Sequence, residues 1–112
     1  MAIVQHLIID QNSTFSAQLT IYGDTRYPLD LTGYTVHAQM KKSPSATTST
    51  AFTCTIPSPR SNGLVNLYLT DEQTAALSPG RYLYDVIVED SANEKFRAIE
   101  GVITVTAGIT QY

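Results

Sequence analysis

Cysteine is almost missing from this chain: Cys54 stands alone among 112 residues. One thiol cannot close an internal disulfide, so oxidative cross-links do not hold this fold. Charge is also scarce. Charged residues make up 15% of the sequence, against roughly 25% in an ordinary soluble domain. A composition so poor in charge suits a β protein with neutral polar outer faces, or a protein packed against neighbours. Basic residues are outnumbered, the net charge is −3, and Lys41-Lys42 is the sole adjacent basic pair. Such a chain lacks the basic face that displaces counterions from nucleic-acid phosphates. No apolar run approaches the roughly 20 residues that cross a bilayer. Met1 to Asp10 has neither a basic start nor a long apolar stretch, so it does not read as a signal peptide. The expectation is a protein made and folded in a cytoplasm, with no membrane partner.

What the chain does contain is period-two alternation. Phe15, Ala17, Leu19 and Ile21 are apolar, with Ser16, Gln18 and Thr20 between them. That pattern is a strand with one buried face. Tyr34, Val36, Ala38 and Met40 repeat it, with Thr35, His37, Gln39 and Lys41 opposite. Further strands are read at residues 5–10, 51–56, 64–69, 81–90 and 95–106. The phase of residues 5–10 is ambiguous because Leu7, Ile8 and Ile9 are all apolar. Gly101 falls inside the last strand and marks a bulge or a close backbone approach. Polar or proline-containing connections separate these runs, notably residues 43–50 and Pro57-Ser58-Pro59-Arg60-Ser61-Asn62-Gly63. Cys54 sits in the alternating run Phe52-Thr53-Cys54-Thr55-Ile56 and reads as a small core residue.

One short helix is expected. Thr70 is an N-cap with Gln73 three residues on, and Asp71 and Glu72 lie where the helix dipole favours acids. Ser78-Pro79-Gly80 ends it within two turns. About seven short strands with one helical turn before the sixth predict an all-β, immunoglobulin-like sandwich, as a single domain over residues 1–112. Within Pro79-Gly80-Arg81-Tyr82-Leu83-Tyr84, Tyr82 takes the position of a tyrosine corner. Its ring fills the open end of the sandwich and its hydroxyl satisfies a backbone group. Tyr84 takes the place that antibody domains give to cysteine. The cysteine pair and core tryptophan of those domains are missing.

The search for chemistry finds little. His37 lies on the polar face of its strand and His6 has no spaced partner. No His, Cys, Asp or Glu set has metal-ligand spacing, and no phosphate loop or nucleophile elbow is present. Asp10, Asp24 and Asp30 are isolated loop carboxylates, short of the oxygens a calcium ion requires. Asp85 and Glu89 are expected to meet Arg81, Lys95 or Arg97 across a hairpin. The reading is a non-enzyme with no cofactor and no metal. Tyr22, Tyr27 and Tyr68 fall on outward or loop positions and are the candidate interface residues.

Three segments carry a resemblance: Asp30-Leu31-Thr32-Gly33-Tyr34-Thr35-Val36, the run from Leu69 through Gln73, Leu77 and Pro79 to Val86, and Glu100-Gly101-Val102-Ile103-Thr104-Val105. The chain resembles the small immunoglobulin-like sandwich proteins and modules of tailed bacteriophages, including the amino-terminal domain of baseplate upper proteins. The resemblance runs from about Asp10 to Ile109. It implies a virion component of tail, baseplate or neck that binds other virion proteins and copies of itself, without catalysis. These 112 residues hold no fibre or receptor-binding segment of the kind that follows the domain in baseplate proteins. A capsid decoration protein is therefore an alternative. So is a host-surface carbohydrate or receptor-binding module reading sugars through Tyr22, Tyr27 or Tyr68.

Overall fold

A strand that is apolar on one side must find a second layer to bury it. The computed structural model describes residues 3–22 and 27–109, and within them it forms two such layers. The strands are β1 (Ile3–Val4), β2 (Leu7–Asp10), β3 (Phe15–Thr20), β4 (Thr35–Lys41), β5 (Thr50–Ala51), β6 (Thr53–Thr55), β7 (Leu64–Leu69), β8 (Gly80–Glu89) and β9 (Lys95–Thr106). The larger sheet runs β9, β8, β4, β5, with β1 and β2 both on the free side of β9. The smaller sheet is β3, β7, β6. All pairings are antiparallel except those of β1 and β2 with β9. Between the layers lie Phe15, Leu19, Val65, Leu67 and Leu69 from one side, and Ala38, Met40, Tyr82, Tyr84, Val86, Val88, Ile103 and Val105 from the other. The alternation phases of β3, β4, β7 and β8 are those read from the sequence.

Three readings require correction. The strand read at residues 5–10 begins only at Leu7, as β2; Gln5 and His6 separate it from an unexpected two-residue strand, β1, and Ile9 is the fully buried residue of β2 while Ile8 is exposed. The run 51–56 is not one strand either. It leaves the larger sheet after Ala51 and joins the smaller one at Thr53. Phe52 sits at the crossing, buried, with its N–H donated to Ala38 O at 3.0 Å and its ring 5.9 Å from that of Phe15. Cys54, next along, is half-buried, and burial pushes its thiol pKa up. Finally, Gly101 is a close approach and not the bulge. The register of β8 against β9 shifts between Val86 and Ile87, which makes Ala98 the extra residue.

Gly101 lies where the broken first strand passes β9. A Cβ added there would come within 2.1 Å of Gln5 O and 3.1 Å of the Tyr84 ring. The Gln5 carbonyl takes that space, with the Tyr84 ring beside it. The Tyr84 hydroxyl donates a 2.6 Å hydrogen bond to Gln5 O. Burial pushes the Tyr84 hydroxyl up to about 12. Gln5 N–H donates to Glu100 O at 2.9 Å, and Val102 N–H donates to His6 Nδ1 at 3.1 Å. At the interruption the N–H and C=O of Gln5 and the N–H of Val102 are therefore partnered.

The connection from β7 to β8 carries the helix α1 (Asp71–Ala75). Thr70 Oγ1 accepts from Gln73 N–H at 3.2 Å and Gln73 Oε1 accepts from Thr70 N–H at 2.8 Å, a complete capping box. Thr74 is fully buried and donates to Ser13 O at 2.8 Å, tying the helix to the β2–β3 turn. Tyr82, buried at the start of β8, donates to Ser78 O at 2.8 Å. Lys42 Nζ lies 4.3 Å from the centre of the Tyr82 ring on its other side.

The segment before β4 is built by Asp30. Its carboxylate accepts from Thr32 Oγ1 at 2.7 Å and from Thr32 N–H at 3.0 Å, bonds that hold its pKa below the ordinary carboxylate value. Gly33 follows at φ +82, in the region that favours glycine. The turn so formed drives Leu31 into the core, fully buried. Arg60 then clamps it, donating to Leu31 O and Tyr34 O at 3.1 and 3.0 Å.

Two substitutions test this account by urea denaturation. Tyr82→Phe removes one buried hydrogen bond and is expected to lower stability by roughly 1 kcal/mol; an unchanged midpoint would remove the corner role. Gly101→Ala forces a methyl group against the Gln5 backbone and is expected to cost roughly 1–3 kcal/mol. If it is neutral, the first strand does not pass where the structure puts it.

Candidate interaction face

With both inner faces consumed by the core, the outer faces and edges are what the molecule can offer. The outer face of the larger sheet can be built row by row from its register. Thr35, Glu89 and Lys95 lie side by side across β4, β8 and β9; next come His37, Ile87 and Arg97. Gln39, Asp85, Glu100 and Val4 form the third row, and Lys41, Leu83 and Val102 the fourth. Arg81, Thr104 and Ile8 complete the face.

The face interleaves apolar and charged residues. Val4, Ile8 and Leu83 are 59%, 67% and 41% exposed, and Ile87 and Val102 are half-buried beside them. Val4, Leu83 and Val102 line a shallow groove of about 630 Å³ together with His6, Asp85 and Arg97, among others. The acids of this face are paired. Arg97 Nε donates to Asp85 Oδ2 and Arg97 Nη1 to Glu100 Oε2, both at 3.1 Å. Glu89 lies 3.2 Å from His37 Nε2 and 3.7 Å from Lys95 Nζ. Arg81, one of the cations expected to face these acids, forms no ion pair among the described residues; Lys95 and Arg97 do.

The arrangement suits binding better than bond-making. His37 is exposed and meets one carboxylate, while His6 accepts from a backbone N–H. Among the described residues, no three His, Cys, Asp or Glu side chains converge as a metal site would require. Asp10 accepts from Thr106 Oγ1 at 2.7 Å and Asp30 from Thr32; Asp24 lies outside the described residues. Exposed apolar groups interleaved with paired charges suit contact with a protein partner.

The three tyrosines singled out from the sequence are not gathered. All are exposed. Tyr22 bridges to Pro28, next to Tyr27. Tyr68 is opposite Ser16 on the outer face of the smaller sheet. Six residues of extended chain from Ser16 to Tyr22 put it about 20 Å from the other two. No tyrosine-lined sugar groove joins all three. The apolar residues of the outer face were missed by the sequence reading. Their signal was present in Leu83, Ile87 and Val102, apolar residues in the phase that should be polar on a half-buried strand.

No known family model matches the chain, and no curated protein matches it. Solved structures share its architecture. The SrpA adhesin of Streptococcus sanguinis superposes with a TM-score of 0.52 at 12% identity, over 96% of this chain and 56% of that one. The chain is an immunoglobulin-like β-sandwich. An internalin-like protein of Listeria monocytogenes (TM-score 0.47, 21% identity, 96% of this chain) and the four N-terminal Ig domains of Dscam1 (0.45, 18%, 95%) are also similar to it. The sandwich spans only 28% of the internalin-like chain and 23% of the Dscam1 chain. At these identities the likeness is one of fold.

If the charges of this face serve partners, they contribute little to stability, since exposed ion pairs rarely exceed about 1 kcal/mol. Arg97→Ala is expected to shift stability by less than about 0.5 kcal/mol in urea denaturation. A larger loss would make the Asp85–Arg97–Glu100 set a structural brace.

Proposed function

We propose that this sandwich is a structural and attachment module of a larger assembly, docking other proteins on the outer face of its β8–β9 sheet. The observation that carries the reading is the exposure of Val4, Ile8 and Leu83 on a face whose central acids, Asp85 and Glu100, are both paired with Arg97. Exposed apolar groups among satisfied polar ones suit a protein interface. The acids there already have cationic partners, so a protein partner need not supply them. Few loose charges also keep the desolvation cost of docking low.

The assembly is the particle of a tailed bacteriophage, in its tail, baseplate or neck. This part rests on the sequence motifs alone: the Asp30–Val36 turn, the Thr70 cap with the Pro79–Val86 strand, and Glu100-Gly101. Each has a structural task in this molecule, which is why a family of sandwiches would carry them together. Asp30 and Gly33 form the turn that inserts Leu31, Thr70 and Gln73 cap α1, and Gly101 admits Gln5. A decoration protein on the capsid would use the same outer face.

The test joins location to surface. The chain is coexpressed with the products of the genes beside its own, and particles from the parent phage are probed for it by mass spectrometry. Expected are its presence in the particle, a complex with a neighbouring gene product, and loss of that complex in Leu83→Glu with an unchanged melting temperature. Absence from purified particles would remove the phage assignment. A complex that survives Leu83→Glu together with Val4→Glu would remove the face.

A further inference from the structure

We propose that two copies of this chain join edge to edge through β3, antiparallel about a twofold axis at Gln18, making one continuous sheet of their two smaller sheets. The inference names a second surface and its occupant; it does not depend on the outer-face reading above.

The argument begins with which backbone groups β3 leaves unpaired. β3 pairs with β7 and with no other strand among the described residues. Ile21 N–H donates to Gly63 O, continuing the same register. In an antiparallel ladder hydrogen-bonded pairs alternate with non-bonded ones. Phe15, Ala17 and Leu19 therefore bond toward β7, and the N–H and C=O of Ser16, Gln18 and Thr20 point away from it. They form a regular open edge along all of β3.

Open edges are ordinarily guarded by charge, proline, bulges or brevity. The other edges here are. β5 is two residues long, β6 is three and runs into Pro57 and Pro59, and the β1–β2 edge is broken at Gln5 and His6. β3 has none of these: Phe-Ser-Ala-Gln-Leu-Thr carries no charge, no proline and no register shift.

The occupant that fits is a second β3. Antiparallel pairing of a strand with itself is self-complementary, as a twofold interface must be. With the axis at Gln18, Gln18 faces its own copy and Ser16 faces Thr20, so the outward backbone groups meet in matching pairs. The side chains meeting on the outer face are two amides and two hydroxyl pairs, groups that hydrogen-bond across strands without repulsion. On the neighbouring strand, Asn66 and Tyr68 are neutral as well, so among the described residues of β3 and β7 the seam brings no like charges together although each chain carries a net charge of −3.

The experiment is sedimentation of the full chain over a concentration series, with amide exchange followed by NMR. The mass is expected to rise toward twice that of the monomer. Protection of the Ser16, Gln18 and Thr20 amides is expected to rise with it, since in a monomer these amides face solvent. Gln18→Lys places like charges on the axis and is expected to weaken association by about tenfold or more. Thr53→Lys, on the opposite edge, leaves it unchanged. A monomer at the highest soluble concentration overturns the proposal, as does a dimer whose Ser16, Gln18 and Thr20 amides exchange freely. The exchange measurement needs no variant to fold. Loss of this pairing leaves the outer-face complex intact, so the two readings fail separately.

Discussion

Two sheets can bury their inner faces only if the chain, each time it passes from one layer to the other, still finds partners for its backbone polar groups. A buried N–H or C=O left unpaired costs as much as several buried methylenes return. This molecule meets the requirement with particular hydrogen bonds at each crossing, most of them from a side chain. Thr74 and Gln11 serve the β2–β3 turn, the second reaching Leu77 O at 2.9 Å and Gly108 N–H at 3.0 Å. Asp30 and Arg60 serve the path into β4. Phe52 N–H finds Ala38 O where the chain changes sheets. Thr70, Gln73 and Tyr82 serve the path into β8. Among the described residues, no buried side-chain nitrogen or oxygen lacks a partner.

Among the described residues, the buried polar side chain is Thr74, which holds a turn, and the rest of the core is aliphatic or aromatic. Tyr84 shows the principle in one residue. It reaches sideways across Gly101 to the first strand. The join it makes is within one sheet. What remains for recognition is the exterior: exposed apolar residues on the larger sheet and an unguarded edge on the smaller one.

Much of this was legible from residue order. The phases of β3, β4, β7 and β8 follow from alternation because each has one wet face, and a period of two then shows directly. The Thr70 cap was legible because its bonds are local, three residues apart. The failures have a common cause in distance along the chain. Nothing near Gln5 says that the first strand breaks there, because the break answers to Gly101 and Tyr84, far away in sequence. The run 51–56 alternates evenly, yet its two halves serve different sheets, and alternation carries no information about which sheet a strand joins. Leu83, Ile87 and Val102 were visible as apolar residues out of phase, but their meeting on one face depends on the β8–β9 register.

The sequence by itself determined the fold class and the inward side of most strands, since both follow from local periodicity and from turn chemistry within a few residues. Tertiary structure alone decided the gathering of the outer apolar residues, the separation of Tyr68 from Tyr22 and Tyr27, and the exposure of β3 as an edge. Those are facts of pairing between distant segments. Pairing is set by the packing of the whole core, which no short stretch of chain contains.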